Sequence, residues 1–473
     1  MSFSSITFLF GFLPLTLLCY FLIPSRFRQG RNFILLLCSL FFYAWGGLRL
    51  LPVLLAFCVL NWGAGLLTAP DRPHRTPIFW GALVLNVGIL GYYKYTGFLL
   101  DNLNAVGLKL SIPAIVLPAG ISFFAFQGIA YLVDVYRGTI VPERSFSKLT
   151  LFMTFFPQVL QGPILRWGEI APALTKRRET TCDAAEGATR FCFGLAKKVL
   201  LADALGQVAD AAFLAGERLT VGFAWMGAVA YSLQLYFDFS GYTDMALGLG
   251  RVFGFRLPEN FNYPYCAQSA SEFWRRWHIT LSRWFRDYVY IPLGGNRCSK
   301  IRQIANLLLV WMLTGLWHGS AWNFVLWGLY YALLLMGERF LWGKVLDKLP
   351  VVVRHIYALV LIVVGWVLFR AVSLEQVGEM LSAMFGMAPG GLWSSEATYY
   401  WNQFRWEWVL AIPAVFPVKP WLEQLLTERQ KHGSRICEGL LTWCPKALAL
   451  LLLFYSVVRL LSSTFRSFLY FQF

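Results

Sequence analysis

The chain has 473 residues, of which 58% are hydrophobic, 17% aromatic and only 14% charged. Soluble domains carry about a quarter charged residues, so this composition excludes an ordinary water-soluble protein. The net charge of +16 comes mainly from short loops between apolar stretches, where the positive-inside rule places lysine and arginine in a membrane protein. We therefore expect contact with anionic membrane lipids and no nucleic-acid partner.

Apolar stretches long enough to cross a bilayer recur along the chain. A membrane-spanning helix needs roughly 20 apolar residues. The stretches that qualify are residues 3–23, 50–67, 78–100, 221–250, 321–342, 356–369 and 446–461. With shorter and polar-interrupted stretches included, the sequence predicts an all-α, polytopic membrane protein with about 10 to 12 membrane helices. We predict a single membrane domain over residues 1–473, because no soluble domain, linker or internal repeat is evident.

The first apolar stretch is predicted to be a span and not a cleaved signal peptide. Its basic residues Arg26, Arg28 and Arg31 follow the apolar run instead of preceding it, which places the N-terminus outside the cell. The nine cysteines are scattered and include no C-x-x-C pair. We interpret them as small core residues, and no metal site is predicted.

Two stretches depart from simple spans. The first is LTLFMTFFPQVLQGPILR, residues 149–166, which has basic residues on both sides and is interrupted by Pro157, Gly162 and Pro163. We predict a re-entrant or broken segment, which a membrane tolerates only where the segment is buried in protein or lines a cavity. The second is TGLWHGSAWNFVLWGLYYALLL, from residue 314. It is predicted to form a hairpin with His318 near its buried tip, and two full spans are the alternative.

Residues 251–302 form the largest region without a span, and we predict interfacial helices there on the cytosolic side. Within this region, WRRWHITLSRWFRDY, from residue 274, has the periodicity of one amphipathic helix. Its polar, basic face, which includes Arg275, Arg276 and Thr280, would meet head groups or an anionic ligand. Its aromatic face holds Trp274, Trp277, His278, Leu281, Trp284, Phe285 and Tyr288.

Few side chains in the apolar stretches can carry chemistry. Nucleotide-binding, serine-hydrolase and zinc-protease motifs are absent from the sequence. Polar residues at membrane depth, such as Asp238 and Asn323, either form interhelical hydrogen bonds or line an aqueous path. His318 is the side chain best suited to accept and return a proton near neutral pH. Without an adjacent nucleophile, it is compatible with direct acyl transfer from a thioester or with a proton-coupled transporter.

Five motifs carry a family resemblance. In chain order they are SFFAFQGIAYLVDVYRG from residue 122, FFPQVLQGPILR from 155, YFDFSGYTDMALGLGRVFGFRLPENFNYPY from 236, EFWRRWHITLSRWFRDYVYIPLGGNR from 272 and GLWHGSAWNFVLWG from 315. Together with the terminal FLYFQF, they resemble the membrane-bound O-acyltransferase family, in its bacterial branch of alginate O-acetyltransferase-like proteins. Gln161 departs from the pattern, since this branch often has a small residue before the Gly-Pro pair.

The resemblance implies a ring of tilted helices around a central tunnel that brings a cytosolic acyl thioester to an acceptor on the far side. It implies that His318 is the catalytic histidine, as a general base or as the group that hands the acetyl on. His278 matches the second family histidine, which would orient His318 or line the tunnel. No cofactor is expected to be bound permanently; the donor is acetyl-CoA or an acetyl-carrier thioester, whose phosphates Arg275 and Arg276 would attract. Candidate tunnel or substrate-lining residues are Trp317, Asn323, Asp238, Tyr242, Trp274 and Trp277.

The resemblance further implies acetyl transfer at a bacterial inner membrane for O-acetylation of an alginate- or cellulose-like exopolysaccharide. A polysaccharide is too large for a membrane tunnel, and the outer loops 101–113 and 371–402 hold no Ser-His-Asp arrangement. Final transfer is therefore expected on an extracytoplasmic serine-type acetyltransferase within a polysaccharide biosynthesis complex. Residues 468–473 are a candidate contact with this partner or an interfacial anchor. The alternatives are a carrier or flippase that makes no covalent bond, and acylation of a lipid, a protein, teichoic acid or peptidoglycan.

Overall fold

The structure is a computed structural model that describes residues 1–431, 435–462 and 468–469. In these ranges the chain is helical, and the only β-type pairing is an isolated antiparallel bridge between Phe261 and Trp277. The helices are α1 Leu13–Leu22, α2 Arg28–Gly46, α3 Leu51–Leu67, α4 Arg75–Ala105, α5 Ile121–Tyr136, α6 Phe146–Thr154, α7 Trp167–Thr175, α8 Thr181–Ala196, α9 Asp203–Phe213, α10 Val221–Val252, α11 Ala270–Arg276, α12 Ile279–Phe285, α13 Lys300–His318, α14 Trp322–Gly337, α15 Gly343–Leu346, α16 Val351–Arg370, α17 Leu374–Met384, α18 Ser395–Gln403, α19 Arg405–Ala414, α20 Val418–Lys431 and α21 Arg435–Ser462.

Several helices have the length and composition of membrane spans. In the described part of the chain five helices qualify, and a sixth crossing results if α19 and α20, bent by 60° at their junction, count as one. This number is below the predicted 10 to 12, because the predicted number included short and polar-interrupted stretches. The stretch 3–23, for example, yields only the shorter apolar helix Thr7–Leu22. The five spans are Leu48–Leu67, Arg75–Ala105, Trp322–Leu346, Val351–Arg370 and Gly439–Ser462.

The described residues group into two compact units that alternate along the chain. The first comprises Met1–Ala188 and Met245–Pro258, and the second comprises Thr189–Asp244 and Glu259–Leu469. His278 and His318, the two histidines predicted to act in catalysis, both belong to the second unit. The single membrane domain over the whole chain stays a prediction.

The interrupted segment in the first unit has the broken geometry that its prolines and glycines predict. Helix α6 ends at Thr154 and α7 begins at Trp167, and the non-helical residues between them are almost all buried. Polar side chains stabilise this irregular backbone: Gln158 Nε2 donates to the Phe152 carbonyl at 3.1 Å and accepts at Oε1 from Gln127 Nε2 at 2.8 Å. The predicted broken segment is thus confirmed, with the burial that a membrane requires of non-helical backbone.

A buried ionic cluster in the first unit involves two of the arginines that the sequence assigns to a cytosolic loop. Glu179 pairs with Arg28, with Arg31 at 3.1 Å and with Arg177 at 3.4 Å. Tyr20 donates its hydroxyl hydrogen to Glu179 Oε1 at 2.5 Å. Removing the carboxylate would leave two buried guanidinium groups and a partly buried one without their common partner, so Glu179 is a stability determinant of this unit.

The acid sensitivity of the first unit tests this role of Glu179. Burial alone would raise the pKa of Glu179, but hydrogen bonds from Arg28 and Tyr20 hold it below its ordinary value. A depressed folded-state pKa adds stability above the unfolded pKa of about 4.3, and this stability is lost as the pH falls below that value. We expect Glu179→Gln to melt below the wild type at pH 7, and the difference to shrink below about pH 4.5. Thermal unfolding of both proteins in detergent from pH 7 to 3.5 measures the difference in melting temperature. A difference that grows on acidification would contradict this role of Glu179.

Candidate active site

The hairpin formed by α13 and α14 positions His318. Gly315 and Gly328 bring the two helices into backbone contact: a Cβ on Gly315 would lie 2.3 Å from the Phe324 carbonyl oxygen, and one on Gly328 would lie 2.5 Å from the Trp311 carbonyl oxygen. His318 is the last residue of α13, and residues 319–321 connect it to α14. The predicted turn at His318 between two packed helices is confirmed, and the choice between a hairpin with a buried tip and two full spans stays a prediction.

Widening the contact between α13 and α14 should displace His318. We expect Gly315→Ala to lower stability by about 1–3 kcal/mol, because its new methyl group meets backbone atoms that cannot move aside cheaply. Activity should fall by about 10²-fold, since a shift of roughly 1 Å at a reacting group has this effect. Thermal melting and a transfer assay measure the two effects. Gly378→Ala in α17 is the matched control, because a Cβ there meets open space; equal effects of the two changes would contradict the argument.

The His318 imidazole is buried among aromatic rings of the second unit. Its centroid lies 4.8 Å from that of Trp317, 5.1 Å from that of Trp327 and 5.1 Å from that of Phe369, each in an edge-to-face arrangement. Such packing fixes the ring plane and excludes bulk water. His318 is therefore held in a defined orientation in surroundings of low polarity, where proton transfer and charge development are most sensitive to nearby groups.

His278 lies at a break in the segment that the sequence predicts as one amphipathic helix. That prediction is wrong: α11 ends at Arg276 and α12 begins at Ile279. The reason is a strand-like pairing with upstream residues, in which Asn262 N–H donates to the Arg276 carbonyl at 2.9 Å and Ile279 N–H donates to the Asn260 carbonyl at 3.0 Å. Between these two bonds His278 adopts φ +44°, in the left-handed region that disfavours a side chain with a Cβ. The fold imposes strain on this residue.

The break reverses few of the predicted exposures. Trp274, Trp277 and His278 are buried and Arg275 is exposed, as the amphipathic pattern predicts. Thr280, predicted for the polar face, is buried instead, because its backbone N–H and its hydroxyl both donate to Asn260 Oδ1, at 3.2 and 2.8 Å.

The structure brings the two histidines into one aromatic cluster. The centroid of Trp317 lies 5.8 Å from that of His278 and 4.8 Å from that of His318, so one indole contacts both imidazoles. His278 also contacts Phe239 at 4.8 Å and shares a hydrogen bond of 3.1 Å between its Nδ1 and Asn260 Oδ1. Burial lowers the pKa of His278 to about 3, so this imidazole is neutral at physiological pH.

The predicted residues Trp274 and Trp277 belong to the same cluster. Trp274 lies 5.5 Å from Trp327, and Trp277 lies 4.9 Å from Trp366, between ring centroids. Sequence reasoning did not single out four residues of this neighbourhood. One of them, Asn260, could have been found because it lies in the ENFNYPY motif. The other three are aromatic, and no sequence signal separates them from ordinary core residues: Trp327, Trp366 and Phe369.

The other predicted lining residues have partners besides the two imidazoles. Asp238 is buried and accepts from Lys198 Nζ at 2.7 Å and from the Leu469 N–H at 3.0 Å. Tyr242, one turn further along α10, packs against Phe468 at 5.1 Å. Asn323 Nδ2 donates to the Ala371 carbonyl at 2.8 Å. The neighbour of Asp238 in the chain, Phe239, is the residue of α10 that contacts His278.

The two arginines predicted to attract the donor differ in their surroundings. Arg276 is committed to an ion pair of 2.7 Å with Glu272, one turn earlier in α11. Arg275 is exposed and remains available for a ligand or a head group. Of the predicted contact segment at the C-terminus, only residues 468 and 469 are described, and residues 470–473 lie outside the described part of the chain.

The part of the chain that holds the two histidines is similar to known proteins. Residues 141–370, which include both histidines, match the family model of the membrane-bound O-acyltransferase family. The Probable alginate O-acetylase AlgI of Azotobacter vinelandii is 40% identical over the full length of both chains. The chain belongs to the membrane-bound O-acyltransferase family.

As a member of this family, the protein is an O-acyltransferase and a multi-pass membrane protein. The Probable alginate O-acetylase AlgI of Pseudomonas aeruginosa is 42% identical over 83% of this chain and 76% of its own. The Peptidoglycan O-acetyltransferase of Helicobacter pylori is 34% identical over 100% of this chain and 97% of its own. The family resemblance drawn from the motifs, including its alginate-related branch, is confirmed.

Proposed function

We propose that this membrane-bound O-acyltransferase passes an acetyl group from a cytosolic thioester across the bacterial inner membrane for O-acetylation of an exopolysaccharide. The observation that carries the proposal is the cluster in which Trp317 contacts both His278 and His318. The names of full-length relatives, an alginate O-acetylase and a peptidoglycan O-acetyltransferase, support acetyl transfer to an envelope polymer. We propose an alginate- or cellulose-like polymer as the acceptor, and the name of the alginate O-acetylase relative supports the alginate-like choice.

The chemistry uses His318 as a general base. A hydroxyl oxygen attacks the thioester carbonyl carbon, the carbon–sulfur bond breaks, and the hydroxyl proton passes to the imidazole and then to the departing sulfur. The aromatic rings around His318 keep water away, which limits hydrolysis of the thioester. Handing the acetyl on from His318 itself is the alternative use of the same imidazole. Both routes need the tunnel that the family resemblance implies, and the tunnel remains part of the proposal.

Donor recognition is proposed to involve Arg275. A phosphate of coenzyme A, or of a carrier's prosthetic group, would find an exposed guanidinium there, whereas Arg276 is held by Glu272. We expect Arg275→Glu to raise the KM for acetyl-CoA by about 3- to 10-fold with little change in kcat, because only a surface charge contact is lost. Arg405→Glu is the matched control, since it reverses an exposed charge elsewhere in the second unit. An unchanged KM would assign Arg275 to lipid head groups.

The final acceptor is proposed to be reached through a partner. An extracytoplasmic serine-type acetyltransferase would take the acetyl group and transfer it to the polymer, because a polymer chain is too large for a membrane tunnel. Expressing this protein in polymer-producing cells that lack any such partner tests the relay. The polymer should then carry no acetyl groups; full acetylation would make this chain the complete enzyme.

The acetyl-transfer step itself is tested in liposomes. Purified protein is reconstituted in liposomes together with a membrane extract of polymer-producing cells that lack this protein, which supplies the hydroxyl acceptor. Acetyl-CoA labelled in the acetyl group is added, and label transfer and thioester cleavage are followed against the same liposomes without the protein. The proposal expects cleavage at a rate well above that of protein-free liposomes, and little cleavage of a long-chain acyl-CoA. Cleavage of the long-chain donor alone would favour lipid acylation, and no cleavage of either donor would contradict the proposed function.

A further inference from the structure

The hydrogen bonds around Asn260 determine which nitrogen of His278 carries the hydrogen. The backbone N–H of Thr280, which can only donate, lies 3.2 Å from the Asn260 side-chain atom that also faces His278. That atom must therefore be the carbonyl oxygen Oδ1, and it also accepts from the Thr280 hydroxyl at 2.8 Å. An oxygen in this position can only accept from the imidazole, so Nδ1 of His278 is the protonated nitrogen.

This assignment leaves Nε2 of His278 with its lone pair. Within the described ranges Nε2 has no hydrogen-bond partner, although the residue is only 1% exposed. A buried acceptor without a donor is unfavourable, and a histidine at positive φ is unfavourable as well. Both features coincide at one residue of the cluster, which is the pattern expected where a ligand supplies the missing donor.

The ligand group that fits Nε2 is a neutral N–H. The imidazole contacts Asn260, Phe239 and Trp317, none of which is charged, so these contacts do not favour its protonated form. A neutral, weakly basic acceptor suits a donor that keeps its hydrogen throughout the reaction. The attacking hydroxyl loses its hydrogen to the base, whereas the amide N–H groups of a pantetheine arm keep theirs. Coenzyme A and the prosthetic group of an acyl carrier share this arm.

We infer that Asn260 is a positioning residue that holds His278 in its Nδ1-protonated form, and that Nε2 accepts a hydrogen bond from the amide N–H of the donor's pantetheine arm that lies nearest the thioester sulfur. The inference rests on the proposed function, because the arm belongs to the proposed thioester donor. It gives the two histidines separate tasks: His318 handles the proton, and His278 places the thioester beside it.

Two short acetyl thioesters test the hydrogen bond. S-acetyl-N-acetylcysteamine carries the amide N–H two carbons from the sulfur, as in the pantetheine arm, and S-butyl thioacetate lacks it. In liposomes that contain the acceptor extract, the wild type should cleave the amide probe with a kcat/KM about 10- to 100-fold higher than that for S-butyl thioacetate. If the wild type cleaves acetyl-CoA but shows no preference between the probes, the inference fails and the proposed function stands. If it cleaves none of the three, the proposed function fails.

Two matched substitutions separate ligand binding from a structural role. His278→Asn keeps a donor toward Asn260 and tolerates positive φ, but it has no acceptor at the Nε2 position. His278→Gln loses the donor toward Asn260, but its Oε1 can reach the Nε2 position. We expect the amide preference to collapse to about 3-fold or less in His278→Asn and to persist in part in His278→Gln. The reverse order, with thermal stabilities measured for both, would assign His278 a structural role.

A pH series tests Asn260 in a way that packing alone would not change. In Asn260→Asp a carboxylate beside Nδ1 favours the doubly protonated imidazole, whose Nε2 can no longer accept. The amide preference should then fall as the pH drops from 8 to 5, while the wild type stays flat. Thr280→Val is the control, because it removes one hydrogen bond to the same oxygen and leaves His278 paired with Asn260. A flat profile in folded Asn260→Asp, or a pH-dependent one in Thr280→Val, would overturn the inference.

Discussion

Replacing His318 with alanine should lower acetyl transfer by about 10³-fold, within the range typical for the loss of a general base, while the protein still folds and inserts. The imidazole contacts Trp317, Trp327 and Phe369 but makes up only a small part of the second unit. Label transfer from acetyl-CoA in liposomes measures the loss, and acetylation of the polymer in producing cells measures its consequence.

A matched variant separates chemistry from packing at this position. Phe369→Leu removes a ring from the same surroundings and leaves the imidazole in place. We expect it to lower the free energy of unfolding about as much as His318→Ala does, by roughly 1–3 kcal/mol. We expect it to reduce acetyl transfer far less than His318→Ala does. Wild-type transfer by a well-expressed His318→Ala protein would remove His318 from the mechanism and leave the cluster with a structural purpose only.

The buried pair of Lys198 and Asp238 should produce the largest effect on stability. Lys198 Nζ lies 2.7 Å from Asp238 and 2.8 Å from Asp203, and both side chains of the first pair are almost fully buried. Lys198→Met leaves the Asp238 carboxylate uncompensated, and we expect the free energy of unfolding to fall by about 3–5 kcal/mol. Thermal or denaturant unfolding in detergent measures this loss.

The double variant decides what Asp238 contributes. Asp238→Asn keeps an acceptor for the Leu469 N–H and removes the charge, so combining it with Lys198→Met should recover most of the lost stability. Because Asp238 makes structural contacts, the folded double variant should also retain transfer. A stable double variant without activity would support the tunnel-lining role that the sequence predicts for Asp238. A Lys198→Met protein that melts like the wild type would contradict the ion-pair argument.

The parts that sequence reasoning predicts well are those governed by local rules. Proline and glycine at 157, 162 and 163 predict the broken segment, and a histidine followed by glycine between two apolar runs predicts the turn at His318. The single helix predicted around His278 fails for a non-local reason: the break takes up only two residues, so the 3.6-residue periodicity continues across it. Its cause is pairing with residues 260–262, far upstream in the chain.

The partners of buried polar groups also cannot be predicted from a single sequence. Nothing near Asp238 in the chain indicates that Lys198 will neutralise it, so a structural and a functional role look alike. Arg28 and Arg31 fit the positive-inside rule as loop residues, yet the structure uses them to surround Glu179. Asn260 gains its importance only through three hydrogen bonds made to one oxygen.

The concentration of indoles around the histidines has an optical consequence. Trp274 and Trp311 lie 4.8 Å apart, Trp277 and Trp366 lie 4.9 Å apart, and Trp274 and Trp327 lie 5.5 Å apart, between ring centroids. Indole transitions at such separations couple and rotate polarised light strongly, provided that the rings stay fixed relative to each other. Near-ultraviolet circular dichroism reports such fixed packing. The tryptophans thus give the protein an intrinsic circular-dichroism signal, by which intact packing around the two histidines can be recognised in detergent before any substrate is added.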